Sequence, residues 1–468
     1  MLHKKHNLKK LSDAEQMLVP TFGSRELKEP VPKFKLPPKE MQPRSAYQIV
    51  HDELMLDGNA RLNLATFVTT WMEPEARQLM TESFDKNMID KDEYPQTAEL
   101  EMRCVNILAN LFHAPENEGE ACGCSTTGSS EAAMLGGMSM KWRWKQRMKT
   151  KGKPTDKPNM VMGINVQVCW EKFCRYWEIE PRQVPIEPGR YSMNAEEALK
   201  LCDENTIGVM ATFGTTFTGE YEPVKEINQA LDKYNAKTGY DIPIHVDAAS
   251  GGFIAPFLQP KLEWDFRLKW VKSINVSGHK FGMVYPGVGW AIWRDKKELP
   301  EDLIFNVNYL GGDMPTFALN FSRPGNQIVA QYYNFLRMGH EGYFRVQKAC
   351  QDVATYLSAK LEKIGPFECL TRGDDIPVFT FRIKEGANTN FSVFDVSEML
   401  RHRGWLVPAY TMPANCENIS VLRIVVKEGF SRDMADLLID DLNRILKHYE
   451  TQPGYKAKEM KTKGKVRC

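Results

Sequence analysis

The central part of the chain alternates short apolar runs with longer stretches in which apolar residues recur at helical spacing. The runs with the length of buried strands are 160–163, 208–213, 242–246, 273–276 and 288–293. The helical stretches between them include residues 129–147 and 224–234. Strands that alternate with helices in this way predict an α/β fold, in which helices cover both faces of a largely parallel sheet.

The N-terminal part of the chain has a different pattern. Its first sixty residues are rich in Pro, Lys and Glu, and they show apolar periodicity only over residues 46–56. This pattern predicts an arm, residues 1–60, that ends in a short helix and has too small a core to fold without a packing partner. The large α/β domain is predicted to follow it, over residues 61–345.

The pattern changes again in the last quarter of the chain. Its helical and strand-like stretches are 349–365, 378–383, 419–426 and 431–450. This mixture predicts a small α+β domain over residues 346–450. Residues 451–468 are basic and poor in apolar side chains, and they predict a mobile tail.

The composition narrows the class of protein. Hydrophobic residues make up 42% and charged residues 26% of the 468 residues, and the formal net charge is +1. These values are typical of a globular protein and do not indicate a partner nucleic acid. We find no apolar run long enough to span a bilayer and no secretory signal, and the ten cysteines lack the spacing of a metal site. We therefore expect a cytoplasmic protein without a metal.

Polar side chains follow several predicted strands, at the edge where open α/β sheets bind ligands. Asp247, followed by small residues, comes directly after the run 242–246, and Ser277-Gly278-His279-Lys280 follows the run 273–276. Ser129 and Ser130 open a predicted helix, where free backbone N–H groups and the helix dipole attract an anion. Each feature alone is also typical of an ordinary turn or helix cap.

Together these features match the needs of one cofactor. Pyridoxal phosphate needs donors for its phosphate, an anion beside its ring nitrogen and an amine that bonds to its aldehyde. The serine pair, the Asp247 carboxylate and the Lys280 amine supply one of each. A lysine suits the third task when burial or a neighbouring cation lowers its pKa. The sequence therefore predicts a pyridoxal phosphate site at the carboxyl edge of the sheet.

The same motifs occur in a known group of enzymes. HVDAASGGF, SINVSGHKFG and TTGSSEAAMLGG resemble segments of the pyridoxal-phosphate-dependent decarboxylases of fold type I. LNLATFVTTWMEPEA, NMIDKDEYPQTAELEMRCVN and NVQVCWEKF resemble more closely the glutamate decarboxylases within that group, and the resemblance runs from about residue 46 to about residue 437. It implies a large domain with a mostly parallel seven-stranded sheet, a small C-terminal α+β domain and an N-terminal arm.

The resemblance implies a role for each matched residue. Lys280, Asp247, His279 and Tyr309 would act in catalysis, with Tyr309 on a mobile flap. The residues that would bind the cofactor are Ser129, Ser130, Gln167, Thr216, Asp247, Ala249, Ser277, His279, Lys280 and Ser322, the last in the site of a neighbouring subunit. The residues that would bind the substrate are Thr66, Phe67, Asn87, Asp90 and Arg423.

The implied reaction is the decarboxylation of L-glutamate to 4-aminobutyrate and carbon dioxide, with one proton consumed in each turnover. Lys280 or Tyr309 would deliver that proton to Cα, and the sequence leaves both open. Because the reaction consumes acid, a role in acid resistance is a further expectation. The implied assembly is a homodimer as the minimal unit, and a hexamer stays open.

Three features set expectations about pH, regulation and partners. The residues matched to the distal carboxylate include Asp90 but no arginine, so the two carboxylates would repel each other unless one is protonated. We therefore expect mildly acid conditions to favour activity. The chain has no histidine after His448, so the C-terminal self-inhibition of acid-activated bacterial relatives is not expected. The basic tail lacks the tryptophan and the apolar face that would favour calmodulin as a partner.

Three other functions stay open. A decarboxylase of another amino acid, such as aspartate or histidine, would keep the cofactor residues and differ at Thr66, Phe67 and the segment 87–96. An enzyme that cleaves a carbon–carbon bond of a phosphorylated substrate would need a basic pocket for the second phosphate, which the sequence does not show. A protein that keeps the fold without catalysis would be expected to have lost Lys280, Asp247 or the serine pair.

Overall fold

The computed structural model describes residues 31–115, 121–308 and 314–457. The chain forms two compact units, Met1–Leu62 and Asn63–Cys468. In the first unit, helix α1 spans Pro43–Leu54 and begins with a proline, whose fixed φ suits the first helical position. Tyr47, Val50 and Leu54 lie on one face of this helix, and each is more than half exposed at 65%, 59% and 60%.

The second unit contains the remaining helices and strands of the described residues. Its helices are α2 (Pro74–Glu82), α3 (Pro95–Leu111), α4 (Ser129–Thr150), α5 (Val168–Tyr176), α6 (Ala195–Lys200), α7 (Val224–Thr238), α8 (Ala255–Leu258), α9 (Asn326–Leu361), α10 (Val393–His402) and α11 (Arg432–Glu450). Its strands are β1 (Cys122–Thr126), β2 (Asn159–Gly163), β3 (Glu180–Val184), β4 (Thr206–Thr212), β5 (Ile244–Asp247), β6 (Val271–Val276), β7 (Gly289–Trp293), β8 (Phe305–Val307), β9 (Met314–Thr316), β10 (Phe367–Cys369), β11 (Val378–Ile383), β12 (Ala409–Thr411) and β13 (Ser420–Val425).

The main sheet has seven strands in the order β1-β7-β6-β5-β4-β2-β3. Strand β7 is antiparallel to both of its neighbours, and the other pairs are parallel. Every residue of β4 is buried, which agrees with the continuous apolar run that predicted it. The predicted fold class is therefore confirmed, with a mostly parallel seven-stranded sheet.

A second, antiparallel sheet follows in the order β10-β11-β13-β12, with α10 and α11 in the same part of the chain. This is the small α+β region that the C-terminal pattern predicted. Helix α9 runs through the predicted boundary at residue 345, and its helical geometry is interrupted at Gly339, which has a φ of 53°. The exact division at that residue stays a prediction. Residues 458–468 of the predicted tail and residues 1–30 of the predicted arm lie outside the described residues.

The strand register fixes which residues meet at the carboxyl edge of the sheet. Thr212 of β4 is the register partner of Asp247 of β5, and Asp247 is the partner of Asn275 of β6. Ligands of such sheets bind at this edge, so these residues mark the place to look for chemistry. Across the described ranges, no helix is both long enough and apolar enough to cross a membrane.

Candidate active site

Asp247 ends β5, and its side chain is buried. Three groups donate hydrogen bonds to its carboxylate. The indole Nε1 of Trp170 donates to Oδ2 at 2.8 Å, and Asn275 Nδ2 and the Ala249 N–H donate to Oδ1 at 2.9 Å and 3.1 Å. These charge-assisted bonds hold the negative charge in one orientation, which is what a protonated ring nitrogen needs beside it.

A fully buried histidine lies behind Asn275. His245 Nδ1 is 2.7 Å from Ser273 Oγ, and its Nε2 is 2.7 Å from Asn275 Oδ1. Because Asn275 Nδ2 donates to the aspartate, its oxygen accepts, and His245 Nε2 is therefore the donor. Burial lowers the pKa of His245 to about 4, so the ring is neutral at neutral pH and carries its proton on Nε2. The neutral imidazole thus fixes the orientation of the Asn275 amide.

Lys280 lies in the turn after β6. Its Nζ is 3.3 Å from Ser250 Oγ and 5.2 Å from the centroid of the Phe67 ring. Burial lowers the pKa of Lys280, and Arg423 lowers it further, while Asp247 opposes the shift. An amine with a lowered pKa is a better nucleophile near neutral pH than an ordinary lysine.

The first turn of α4 lies beside the same turn. Ser129 Oγ and Ser277 Oγ are 2.6 Å apart, and Ser130 is the second residue of the helix. His279 Nδ1 accepts a backbone N–H at 3.2 Å, and burial lowers the pKa of His279 to about 4. A Cβ on Gly128 would lie 2.9 Å from His279 Cε1, so glycine lets this loop approach the imidazole. Hydroxyls and free helix N–H groups converge here, as an anion site requires.

Arg423 of β13 reaches the same region from the small sheet. Its Nη1 donates to the Thr216 carbonyl and its Nη2 to the Ala65 carbonyl, both at 2.6 Å. The guanidinium carbon lies 4.8 Å from the centroid of the Phe67 ring, the ring that also faces Lys280. Its buried Nε has no acceptor among the described residues. The Nε–H of this cation is therefore available to a carboxylate ligand.

Thr66 and Gln167 both accept backbone N–H groups. Thr66 Oγ1 accepts from Val68 at 3.0 Å, and Gln167 Oε1 accepts from Cys169 at 2.6 Å, which caps α5. Trp170, which lies in the first turn of the same helix, is the donor to the buried aspartate. The cap therefore fixes the start of the helix that carries this indole.

Asn87, Asp90 and Ser322 form a separate group. Asn87 Nδ2 donates to Ser322 Oγ at 3.3 Å, and Asp90 lies in the same segment, where its N–H donates to the Asn87 carbonyl at 3.2 Å. No recorded hydrogen bond, ion pair or ring contact in the described part of the chain joins these three residues to Lys280. Tyr309 lies outside the described residues.

The sequence did not predict three residues that surround Asp247, namely Trp170, Asn275 and His245. Asn275 had a signal, because it is a polar residue between Ile274 and Val276 in a strand-like run. Trp170 had none, because a tryptophan in an amphipathic helix is most often a core residue.

The residues that are present suit pyridoxal phosphate. The carboxylate with three donors, the lysine with a lowered pKa and the hydroxyl-lined helix N-terminus lie on neighbouring turns at one edge of the sheet. Within residues 31–115, 121–308 and 314–457, no group of three or more His, Cys, Asp or Glu side chains could hold a metal ion.

Comparisons with known proteins agree with this chemistry. Residues 37–384 match the pyridoxal-dependent decarboxylase conserved domain. The chain is 59% identical to a glutamate decarboxylase of Aliivibrio fischeri, covering 94% of each chain, and 55% identical to one of Solanum lycopersicum, covering 95% of this chain and 88% of that protein. The solved structure of a Lactobacillus brevis glutamate decarboxylase superposes with a TM-score of 0.90 at 46% identity, covering 93% of this chain and 99% of that one.

Proposed function

The chain belongs to the pyridoxal-dependent decarboxylase family, and we propose that it releases carbon dioxide from L-glutamate and leaves 4-aminobutyrate. The observation that carries the proposal is that Lys280, whose pKa burial lowers, and the triply hydrogen-bonded Asp247 lie at the same edge of the sheet. The high identity to proteins named glutamate decarboxylase, over nearly the whole chain, supports glutamate as the substrate.

Each part of the cofactor has residues suited to hold it. Ser129, Ser130, Ser277 and His279 would bind the phosphate, with the N–H groups of the α4 N-terminus. Asp247 would lie beside the ring nitrogen, and Lys280 would bond to the aldehyde. When bound, pyridoxal phosphate supplies an electron sink that accepts the electron pair left behind when carbon dioxide departs.

Three further residues would shape the space around the ring. We assign Gln167 and Ala249 to its two faces and Thr216 to the edge of the ring. The contacts of their backbones support this assignment, since Ala249 donates to Asp247 and Thr216 accepts from Arg423. Gln167 caps the helix whose indole holds the same aspartate.

The protein's own groups direct the reaction by orientation. Decarboxylation would be selected by where the protein's own groups hold the α-carboxylate of the substrate. Arg423 is suited to that task, because it is a buried cation with one N–H that has no acceptor among the described residues. Lys280 Nζ, beside Ser250, would hold the proton that later reaches the substrate Cα, and Tyr309 is the other candidate donor.

The distal carboxylate of glutamate would be recognised by Thr66, Phe67, Asn87 and Asp90. With no arginine among them, hydroxyl, amide and backbone donors would carry the binding. Asp90 would then favour activity under mildly acid conditions, where one of the two facing carboxylates takes up a proton. An activity profile that rises steadily toward alkaline pH would contradict this assignment.

A homodimer with shared sites is the proposed assembly. The uncovered face of α1, with Tyr47, Val50 and Leu54, is apolar and suits burial against a second subunit. Ser322 is exposed and makes no hydrogen bond to Lys280. It could therefore reach the cofactor phosphate in the site of the second subunit. Val50→Glu should lower the mass measured by light scattering, whereas Leu437→Glu, at an exposed leucine of α11, should not.

A cytoplasmic location and a role in acid resistance complete the proposal. Consumption of one proton per turnover would raise the pH around the enzyme, so it would benefit a cell under acid stress. A strain that lacks the protein should then survive acid challenge less well when glutamate is supplied, and equally well without it.

The test of the activity is carbon dioxide release from a panel of L-amino acids, with pyridoxal phosphate supplied, at mildly acid and neutral pH. We expect release from glutamate and not from aspartate or histidine. Lys280→Ala should abolish it, and Lys225→Ala, at an exposed lysine of α7, should not. A cofactor-loaded protein that acts only on another amino acid would overturn the substrate assignment and leave the role of Lys280 intact.

A further inference from the structure

Glu222 is a buried carboxyl next to the candidate active site, with a side chain that is 2% exposed. Its Oε2 accepts a hydrogen bond of 2.6 Å from the Thr212 N–H, and its own N–H donates to the Thr212 carbonyl at 3.0 Å. Thr212 is the last residue of β4 and the register partner of Asp247. Glu222 therefore lies at the carboxyl edge of the sheet, one strand from the candidate cofactor carboxylate.

The second carboxyl oxygen of Glu222 lies near another acceptor. Glu222 Oε1 and Asn165 Oδ1 are both buried, and neither accepts a hydrogen bond of ordinary length and angle from the described residues. The Met193 N–H lies near the Glu222 carboxyl without reaching that geometry. Both oxygens also crowd Gly163, where an added Cβ would collide with each of them. Two acceptor oxygens are thus packed around one glycine, in a space too small for a methyl group.

Turning the amide of Asn165 does not resolve this arrangement. Asn165 Nδ2 donates to the Tyr191 carbonyl at 2.8 Å. If the amide were rotated, its oxygen would face that carbonyl instead, so one pair of acceptors would replace another. A proton on Glu222 Oε1 can be donated to Asn165 Oδ1, while Asn165 Nδ2 keeps its bond to the Tyr191 carbonyl.

The electrostatic surroundings favour the protonated form. Burial raises the pKa of Glu222 to about 8, and the N–H groups of Thr212 and Met193 oppose this rise only in part. The negative charge of Asp247 also raises the pKa of Glu222, because it repels a second carboxylate nearby.

We propose that Glu222 keeps its proton in the folded enzyme and that its hydroxyl donates a hydrogen bond to Asn165 Oδ1. Asn165 lies in the short connection between β2 and α5, which also contains Gln167. Helix α5 then presents the Trp170 indole to Asp247. Glu222 is therefore a positioning residue, because its proton fixes the segment that supports the cofactor carboxylate.

The proton itself can be observed by infrared difference spectroscopy between pH 5 and pH 9. We expect the wild type to show a carboxylic-acid carbonyl component that disappears near pH 8 and that Glu222→Gln lacks. The component from Glu428, whose pKa burial raises to about 7, should remain in both proteins. Asn165→Ala removes the acceptor and should shift the Glu222 component to higher frequency. Identical difference spectra for the wild type and Glu222→Gln would overturn the proposal.

Unfolding of the apoprotein gives a second readout. Folded Glu222 retains a proton that the unfolded chain releases above about pH 4.5, so the wild type loses stability as the pH rises from there to about 8. Glu222→Gln cannot ionise, so its melting temperature should rise relative to the wild type across this window and level off above it. A difference that does not vary with pH would contradict the proposal.

The consequence for the cofactor rests on the proposed function and is tested separately, by titrating apoprotein with pyridoxal phosphate. The wild type should bind about tenfold more weakly at pH 9 than at pH 7 through loss of this hydrogen bond, and Glu222→Gln should retain its affinity. Glu226→Gln, at an exposed carboxyl of α7, should follow the wild type. If the protein binds no pyridoxal phosphate, the proposed function fails, while the infrared and unfolding results still decide the state of Glu222.

Discussion

The indole N–H of Trp170 and the carboxylate of Asp247 are joined by a hydrogen bond of 2.8 Å between residues 77 positions apart in the chain. The indole also packs edge-on against the ring of His245, with centroids 5.0 Å apart. His245 orients Asn275, which is the second side chain that donates to Asp247. Trp170 therefore contacts both the first residue of this hydrogen-bonded chain, His245, and the last, Asp247.

Trp170→Phe should weaken cofactor binding without emptying the core. Phenylalanine keeps much of the ring packing but removes the N–H, and a hydrogen bond to a charged group contributes about 1.5–3 kcal/mol. We expect the affinity for pyridoxal phosphate, measured by absorbance titration of the apoprotein, to fall by about tenfold or more. Trp177→Phe, at the residue directly after the same helix, is the matched control and should change it little. Equal losses in both variants would point to a general packing effect.

The site residues that were predicted lie at the ends of helices and strands, whereas those that were missed act through contacts between distant parts of the chain. Asp247, Lys280 and Ser129 follow or begin regular elements, and an α/β pattern brings such positions to one edge whatever the packing. Trp170 and Asn275 act through contacts across 77 and 28 residues, which no local pattern encodes. Their roles emerge only when the strand register is known.

Local sequence pattern also limited how many strands of the main sheet could be predicted. In the seven-stranded sheet, the five strands that were predicted are mostly apolar, and each has a neighbour on both sides. The two strands of this sheet that were missed, β1 and β3, are its edge strands, with the sequences CGCST and EPRQV. An edge strand is covered on fewer sides, so selection for apolar residues is weaker and its pattern resembles a loop.

Gly136→Ala should destabilise the protein, against the usual preference of helices. Alanine in a helix interior is normally favoured over glycine by about 1 kcal/mol. At Gly136 of α4, however, an added Cβ would collide with the His245 ring, and such overpacking costs about 1–3 kcal/mol. We expect a lower melting temperature together with weaker cofactor binding, because the ring that moves is the one that orients Asn275. Gly454→Ala, where an added Cβ meets nothing within 4 Å, serves as the control.

His245 and His279 should make the protein less stable in acid. Burial holds the pKa of both His279 and His245 at about 4, below the ordinary value of 6.5. Between those values the unfolded chain binds protons that the folded imidazoles do not, so stability falls as the pH drops from 6.5 to 4. Each histidine contributes a slope of up to about 1.4 kcal/mol per pH unit.

His279→Asn should therefore flatten the acid limb of a stability profile measured by urea unfolding of the apoprotein between pH 4.5 and 7.5. The remaining slope would come from His245 and from the carboxyl groups. His402→Asn, at an exposed histidine at the end of α10, should keep the slope of the wild type. An unchanged slope in His279→Asn would mean that the folded imidazole takes up its proton at an ordinary pH.

Arg423→Lys should separate substrate binding from cofactor binding. The guanidinium donates to the Thr216 and Ala65 carbonyls and still has its Nε free of any described acceptor, whereas a lysine lacks this planar arrangement of donors. We expect the KM for glutamate to rise by about tenfold or more, since a hydrogen bond to a charged carboxylate contributes about 1.5–3 kcal/mol. The affinity for pyridoxal phosphate should stay close to that of the wild type. Arg382→Lys, in β11 of the same sheet and paired with Glu368 at 2.6 Å, should leave both constants unchanged. If Arg423→Lys instead weakens cofactor binding and substrate binding equally, the arginine serves to join the segments of Ala65 and Thr216, and another group must orient the α-carboxylate.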